Sequence, residues 1–140
     1  MATIYYDNDA ELASLKNKVV AIIGYGNQGC AHALNLRDSG IEVIVGARAN
    51  GKAFAKASAD GFATMSVQEA SSKASILAVM LPDEVVTAVY ENEIALGIAA
   101  SEKIAGQDNA KHKAFVFAHG FTVTNKTIAL PADADIILVA

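Results

Sequence analysis

A glycine-rich turn between an apolar run and a helix-forming run constrains this chain more than any other feature. Residues 19–23 read VVAII, and GYGNQG follows directly at residues 24–29. Consecutive β-branched residues favour a buried strand, and the run after the last glycine favours a helix. A strand, a turn with G-x-G-x-x-G spacing and a helix form the fingerprint of a dinucleotide-binding site. We therefore expect a Rossmann-type βαβ unit here.

The three glycines of this turn have separate roles. Gly24 permits the sharp turn off the strand, Gly26 lets the backbone approach a pyrophosphate, and Gly29 lets the helix pack close to the sheet. The first N–H groups of that helix and the positive end of its dipole would face the anion. The candidate cofactor-binding residues in this segment are Gly24, Tyr25, Gly26, Asn27, Gln28 and Gly29.

Strands and helices alternate along the rest of the chain. Strands are predicted at residues 18–24, 42–46, 63–65, 75–80, 114–118 and 135–139. Helices are predicted at residues 9–16, 28–39, 52–59, from a capping box at 66–69, and at 83–90 with an extension towards 104 left open. Residues 106–111 read as a loop. The strands are nearly continuous apolar runs, which indicates burial on both faces and hence a doubly wound parallel sheet of the α/β class.

Composition fits one domain spanning residues 1–140 and limits its partners. Hydrophobic residues make up 53% of the chain and charged residues 19%, as is typical of a globular protein. The net charge of -4 argues against a broad surface for nucleic acid or an anionic membrane. A single cysteine, the lack of a signal peptide and the short apolar runs favour a cytoplasmic setting, or an organelle stroma in a eukaryote.

The residues after the second predicted strand bear on the choice of cofactor. No carboxylate follows this strand to accept hydrogen bonds from a ribose 2′-OH, and Glu42 lies at its wrong end. Arg48 follows instead, and Lys52 begins the next helix. A charge-assisted contact contributes about 1.5–3 kcal/mol, so one contact to a 2′-phosphate would favour NADP(H) by roughly tenfold or more. The alternative for Arg48 is an ordinary exposed loop charge.

Two further segments lie where strands end. His119 follows a predicted strand, and ligand crevices of open α/β sheets lie beyond the carboxyl ends of the strands. We therefore consider His119 a candidate catalytic residue, with a structural, hydrogen-bonded histidine as the alternative. Asp83 and Glu84 follow Pro82 and fit either a helix cap or a position near the cofactor.

Other conspicuous side chains have plainer interpretations. Cys30 is expected to be a half-buried helix residue, although the helix dipole could lower its pKa. His32 is expected to be structural and His112 to be solvated. Tyr5 and Tyr6 are expected to pack and hold the N-terminal segment. The histidines and the cysteine do not have the spacing of a zinc site, and no metal ligands are predicted.

Several segments together resemble the N-terminal domain of ketol-acid reductoisomerase (acetohydroxy acid isomeroreductase). The combination is more specific than the glycines alone and covers nearly the whole chain. The segments are YYDNDA at 5–10, VAIIGYGNQG at 20–29, AHALNL at 31–36, DSG at 38–40, LPDE at 81–84, FAHGF at 117–121 and LPADAD at 130–135.

The resemblance implies an NADPH-dependent oxidoreductase of branched-chain amino acid (isoleucine and valine) biosynthesis. Such an enzyme isomerises a 2-acetohydroxy acid by alkyl migration and reduces the 2-keto product. By resemblance, residues 25–28 would hold the diphosphate, Arg48 the adenine ribose phosphate, and His119 would be the active-site histidine. Residues implied to meet the cofactor from the far side are Asp83, Glu84, Val85 and Val86.

The chain also departs from the family pattern. Cys30 stands where the family usually has His, and Gly51 and Ala53 stand where it usually has serines near the 2′-phosphate. Residues 94–113 look longer than usual. The family's Mg²⁺-binding carboxylates lie in a helical C-terminal domain that this chain lacks. We therefore expect a larger protein to continue beyond residue 140, contacts between subunits to involve that domain, and the chain alone to be inactive.

Two alternatives to the reductoisomerase domain stay open at this point. One is a standalone module that binds a dinucleotide without catalysis. The other is a different small NADP oxidoreductase whose active site is completed by a partner chain.

Overall fold

The computed structural model describes residues 1–103 and 112–139, which form a parallel sheet with helices against it. The strand order is β3-β2-β1-β4-β5-β6, and every neighbouring pair is parallel. This confirms the predicted doubly wound α/β fold, and the predicted strand ends lie within one residue of those found. The strands are β1 (Val19–Ile23), β2 (Glu42–Gly46), β3 (Ala63–Met65), β4 (Ile76–Val79), β5 (Ala114–Phe117) and β6 (Asp135–Leu138).

Six α-helices connect the strands within the described ranges. They are α1 (Asn27–Asp38), α2 (Lys52–Ala59), α3 (Val67–Lys73), α4 (Asp83–Val89), α5 (Ala95–Glu102) and α6 (Phe121–Thr124). A π-helical turn, Tyr90–Ile94, joins α4 to α5, so the helix does extend beyond residue 90. Gly40 and Gly61 end α1 and α2 with φ of 79° and 88°, a left-handed conformation that glycine adopts without strain. The hydroxyl of Ser66 accepts a hydrogen bond from the N–H of Glu69 and caps α3.

The core consists of two apolar layers, one on each face of the sheet. On one face, Leu77 and Phe115 are fully buried beneath the π-helical turn and α5. On the other, Ile22 and Val45 are buried beneath α1 and α2. Helices thus lie against both faces of the sheet, and the parallel pairing places the carboxyl ends of β1, β4 and β5 beside one another.

Gly97 sets the spacing between α3 and α5. A Cβ at this position would collide with the carbonyl oxygen of Gln68 and would lie 2.8 Å from the Cβ of Ser71. The absence of a side chain therefore lets the two helices approach closely over the sheet, and it holds the connection between β4 and β5 against the core.

The predictions for the N-terminal segment are wrong. Instead of one helix at residues 9–16, the chain forms two short 3-10 helices, Asp7–Asp9 and Leu12–Leu15. Tyr5 and Tyr6 are 75% and 71% exposed, so they do not pack as expected. Apart from the partly buried Leu15, every residue of this segment is exposed, and a short helix with so little tertiary packing is only marginally stable in water.

Expectations for the last third of the chain were only partly met. β6 is exposed on both faces, contrary to the predicted burial of every strand. The short helix α6 was not predicted. The predicted loop at residues 106–111 lies outside the described residues, as do residues 104–111 of the extended region 94–113. None of the described helices is both long enough and apolar enough to cross a membrane.

Candidate dinucleotide site

A cleft of about 510 Å³ lies at the carboxyl ends of β1, β4 and β5. Its volume is within the range of small-molecule sites. The glycine turn forms one side, and the residues that follow β4 and β5 form the other. The lining residues are Gly24, Tyr25, Gly26, Asn27, Gln28, Ala53, Met80, Leu81, Pro82, Ala118 and His119. The structure therefore brings most of the predicted glycine turn together with His119.

The glycines of the turn meet different surroundings. Gly24 has φ of 90°, and a Cβ there would lie 2.9 Å from the carbonyl oxygen of Met80. A Cβ on Gly29 would collide with the carbonyl oxygen of Gly24. A Cβ on Gly26 would meet no atom within 4 Å, so the backbone at this position is open towards the cleft. This geometry leaves room for a pyrophosphate against the turn and fits a bound dinucleotide.

The N-terminus of α1 adds positive potential to the same place. Gly26 is the N-cap and supplies no side-chain hydrogen bond, and Asn27 and Gln28 are exposed. The first N–H groups of an α-helix have no acceptor within the helix, and the macrodipole places about half a positive charge there. Together these features favour an anionic group in front of α1.

Tyr25 contributes packing rather than a free hydroxyl. Its side chain is buried, and its hydroxyl donates a hydrogen bond of 2.8 Å to the Asp60 carboxylate. Its ring meets Phe62 edge-on with centroids 5.8 Å apart. Burial, with added contributions from Cys30 and Asp60, raises the pKa of Tyr25 above its ordinary value. The hydroxyl is therefore neutral at physiological pH, and it ties the glycine turn to the end of α2.

Cys30 and Lys56 meet behind the turn. Lys56 Nζ lies 2.9 Å from Cys30 Sγ and 3.3 Å from the Asp60 carboxylate. The hydrogen bond from Lys56 is the main cause that lowers the pKa of the Cys30 thiol, and the same contact raises the pKa of Lys56. The expected half-buried position of Cys30 is confirmed. The partner that perturbs the thiol is Lys56, which sequence reasoning missed.

Arg48 and Lys52 lie beside the cleft rather than in it. Arg48 follows the buried Ala47 at the end of β2, and Lys52 is the first residue of α2. Both side chains are exposed, and neither makes a hydrogen bond or ion pair with another part of the chain that the structure describes. The backbone N–H of Gly51 donates to the carbonyl of Arg48 at 3.0 Å, which closes a tight turn between them.

Residues 83–86 differ in whether their side chains face a recess or the solvent. Asp83 and Val86 line a small recess together with His119. Glu84 and Val85 are exposed in the first turn of α4 and line neither this recess nor the cleft. The carboxylates of Asp83 and Glu84 lie at the positive end of the dipole of α4, which stabilises the helix.

The remaining histidines lie away from the cleft. His32 is partly buried on α1 and faces an apolar groove on the side of the sheet. His112 is exposed as predicted, and its Nε2 lies 2.9 Å from the Asp135 carboxylate. Within residues 1–103 and 112–139, no group of three or more His, Cys, Asp or Glu side chains could hold a metal ion.

Comparison with known proteins adds independent evidence. Residues 14–140 match the model of the acetohydroxy acid isomeroreductase NADPH-binding domain. The structure is similar to that of an NADH-preferring ketol-acid reductoisomerase from an uncultured archean, with 38% identity, a TM-score of 0.80 and 99% of this chain covered. This chain spans 40% of that protein's length.

More distant structures share the fold alone. One is a putative oxidoreductase from Jannaschia sp. CCS1, with 16% identity, a TM-score of 0.65, and 86% of this chain and 40% of the other covered. Another is 3-hydroxyisobutyrate dehydrogenase from Mycobacterium tuberculosis, with 22% identity, a TM-score of 0.60, and 86% and 39% covered.

Proposed function

Because the chain belongs to the acetohydroxy acid isomeroreductase (ketol-acid reductoisomerase) family and matches its NADPH-binding domain, we propose that it binds NADPH as the cofactor half of such an enzyme. One observation carries the proposal. A Cβ would find free space at Gly26, whereas at Gly24 and Gly29 it would collide with backbone carbonyl oxygens. A turn that served packing alone would not need the open position, whereas a diphosphate needs it.

We assign the diphosphate to the backbone of Gly26, Asn27 and Gln28. These residues line the cleft and begin α1, so their N–H groups and the helix dipole attract the anion without a charged side chain. Arg48 and Lys52 are assigned to the 2′-phosphate. Both are exposed cations beside the N-terminus of α2, and neither is engaged by the described residues around it.

His119 is assigned to the reacting end of the cleft. It follows β5, lines the cleft and is exposed, so a substrate oxygen beside its ring would meet a hydrogen-bond donor. Pro82 and Ala118 line the neighbouring wall and exclude water from one side. NADPH, when bound, supplies the hydride for reduction of a 2-keto acid.

The complete reaction is proposed for a longer protein. Mg²⁺ would polarise the oxygens of the 2-acetohydroxy acid for the alkyl shift, held by carboxylates outside this chain. We therefore propose that residues 1–140 alone do not convert 2-acetolactate and that oligomer contacts involve the additional part. The net charge of -4 supports a protein without a nucleic-acid partner. The proposed setting is the cytoplasm, or the stroma of an organelle in a eukaryote.

The direct test is calorimetric titration of the chain with NADPH and, separately, with NADH. We expect tighter binding of NADPH, and we expect Arg48→Ala to weaken NADPH binding by roughly tenfold while NADH binding is unchanged. Lys18→Ala is the matched control, because this exposed cation precedes β1 at the opposite end of the sheet.

The outcomes separate the parts of the proposal. Equal affinity for the two cofactors would refute the role of Arg48 and Lys52, and so would tighter binding of NADH, the preference named for the archaeal relative. Binding of neither cofactor would refute the dinucleotide site in this chain. Turnover of 2-acetolactate above a blank without protein would refute the proposed dependence on a further domain.

A further inference from the structure

Tyr25 stands between Gly24 and Gly26, so it is the residue whose side chain can hold this part of the glycine turn in place. Glycine has more backbone freedom than any other residue, and neither neighbour has a side chain that could restrain it. The turn nevertheless needs a fixed path, because the N–H groups of Gly26, Asn27 and Gln28 must point together at the proposed diphosphate. The contacts of Tyr25 therefore decide how firmly the turn is held.

The side chain of Tyr25 is held from three directions. Lys56 Nζ lies over its ring, 4.8 Å from the centroid, and the ring of Phe62 packs against it. Its hydroxyl donates a hydrogen bond of 2.8 Å to Oδ2 of Asp60. Because the side chain is also buried, it cannot turn without breaking one of these contacts. The position of Asp60 is thereby passed on to the backbone of the glycine turn.

Asp60 is itself fixed by residues of both helices beside it. Lys56 Nζ lies 3.3 Å from the same carboxylate oxygen that Tyr25 contacts. The backbone carbonyl of Asp60 accepts a hydrogen bond of 2.7 Å from Arg37 on α1. The hydrogen bond from Tyr25, followed by that from Lys56, lowers the pKa of Asp60. The carboxylate is therefore ionised at neutral pH and is a strong acceptor for the tyrosine hydroxyl.

The stability of α2 does not account for a carboxylate at this position. Asp60 directly follows the last residue of α2, at the negative end of the helix dipole, where a cation is favoured. In its pair with Lys56 the cation precedes the anion, which is the less favourable order at i,i+4 spacing. A residue that departs from such local rules is typical of a functional site. The tertiary contact with Tyr25 is what the carboxylate supplies.

We propose that Asp60 is a positioning residue for the dinucleotide: through the hydroxyl of Tyr25, it holds the glycine turn in the conformation that receives the diphosphate. The inference rests on the proposed function. Asp60 does not line the cleft, whereas Tyr25 does, so Asp60 acts through Tyr25. A turn that is held before binding loses less conformational freedom when the cofactor binds, which increases affinity.

The first experiment is calorimetric titration of Asp60→Ala, Asp60→Asn and Tyr25→Phe with NADPH and, separately, with NADH. We expect Asp60→Ala and Tyr25→Phe to weaken the binding of both cofactors by the same factor, about three- to tenfold, since the diphosphate is common to both. Asp60→Asn should retain most of the affinity, because its amide oxygen still accepts from the hydroxyl. The double variant Tyr25→Phe/Asp60→Ala should bind no more weakly than the weaker single variant.

Tyr90→Phe is the matched control. Tyr90 is also buried, and its hydroxyl donates a hydrogen bond of 2.7 Å to the carbonyl of Ala129 in the core layer on the opposite face of the sheet. Both Tyr→Phe variants thus lose one hydrogen bond of a buried tyrosine. We expect Tyr90→Phe to lower the unfolding midpoint in urea and to leave the affinity for both cofactors unchanged. A merely structural role of Tyr25 would make the two variants behave alike.

Amide hydrogen exchange tests the positioning without any cofactor. The N–H of Cys30 donates to the carbonyl of Gly26 at 2.9 Å and so reports on the turn. We expect this amide to exchange about three- to tenfold faster in Asp60→Ala and Tyr25→Phe than in the unaltered chain, Asp60→Asn or Tyr90→Phe.

The outcomes separate the role of Asp60 from the proposed function. Unchanged exchange at Cys30 in Asp60→Ala, or unchanged affinity for both cofactors, overturns the role of Asp60. Equal losses in Asp60→Ala and Asp60→Asn would assign the effect to charge and also overturn it. An unaltered chain that binds neither cofactor overturns the proposed function and with it the link to the dinucleotide.

Discussion

Gly26 and Gly29 lie three positions apart in one turn, yet a methyl group would lower stability at one site and cofactor binding at the other. Gly29→Ala should lower the free energy of unfolding by about 1–3 kcal/mol, since its Cβ would collide with the Gly24 carbonyl oxygen. Gly26→Ala should change stability by less than about 0.5 kcal/mol but weaken NADPH binding, because its Cβ projects into open space that the diphosphate would occupy. Urea unfolding and calorimetry measure the two effects, and equal loss of stability in both variants would contradict this account.

The roles of Gly24 and Gly29 could be predicted from spacing because they depend on a local strand–turn–helix geometry. The network around Tyr25 could not. Its hydroxyl meets Asp60, which lies 35 positions away, and Lys56 reaches Cys30 across 26 positions. The i,i+4 spacing of Lys56 and Asp60 can be read from the sequence, but only the structure shows that α1 supplies the residues that the pair meets.

The contact between α1 and α2 predicts an unusual thiol. Because Lys56 lowers the pKa of Cys30, the folded chain should hold more thiolate at pH 7–8 than the unfolded chain and should react faster with iodoacetamide. Lys56→Gln should move the midpoint of the pH–rate profile to higher pH. Lys52→Gln, at the other end of the same helix, should leave the midpoint unchanged. A profile that is identical in the Lys56→Gln variant and the unaltered chain would refute the contact.

Elements with tertiary partners were predictable, and those without were not. β1 to β5 carry apolar runs that the core uses, so their sequence pattern and their structure agree. Residues 9–16 show a helical pattern, but apart from a partly buried Leu15 they meet no surface, and only 3-10 turns form. β6 has the pattern of a buried strand and pairs with β5, although its faces are exposed. An apolar run therefore predicted that β6 is a strand but not how far it is buried.

The stability of the whole molecule should depend on pH through Lys113. This side chain is buried, donates to the carbonyl of Ala74 at 2.6 Å, and has its pKa lowered to about 8 by burial, with Glu102 opposing the shift. Between about pH 8 and the ordinary value of 10.5, the unfolded chain binds a proton that the folded chain releases. The free energy of unfolding should therefore rise with pH in this window, whereas below it Lys113 is protonated in both states and adds no pH dependence.

Urea unfolding at pH 7 and pH 9.5 tests this linkage. Both pH values lie below the ordinary pKa of tyrosine, so ionisation of Tyr25 and Tyr90 contributes little. Lys113→Met should reduce the increase in unfolding free energy between the two pH values, leaving the contribution of Cys30. The exposed Lys16→Met control should retain the full increase. An undiminished increase in Lys113→Met would show that the amine is not held in a desolvated site.

The strand order has a consequence for how the chain is made. β1 leaves the ribosome first and occupies the middle of the sheet, and β2 and β3 then extend one side before β4, β5 and β6 extend the other. Each new strand can pair with one already synthesised, so no strand needs a neighbour that is still inside the exit tunnel. Domains generally fold as units during synthesis, N-terminal parts first. The nascent sheet therefore grows outward from its centre, and the glycine turn is in place long before translation reaches β6.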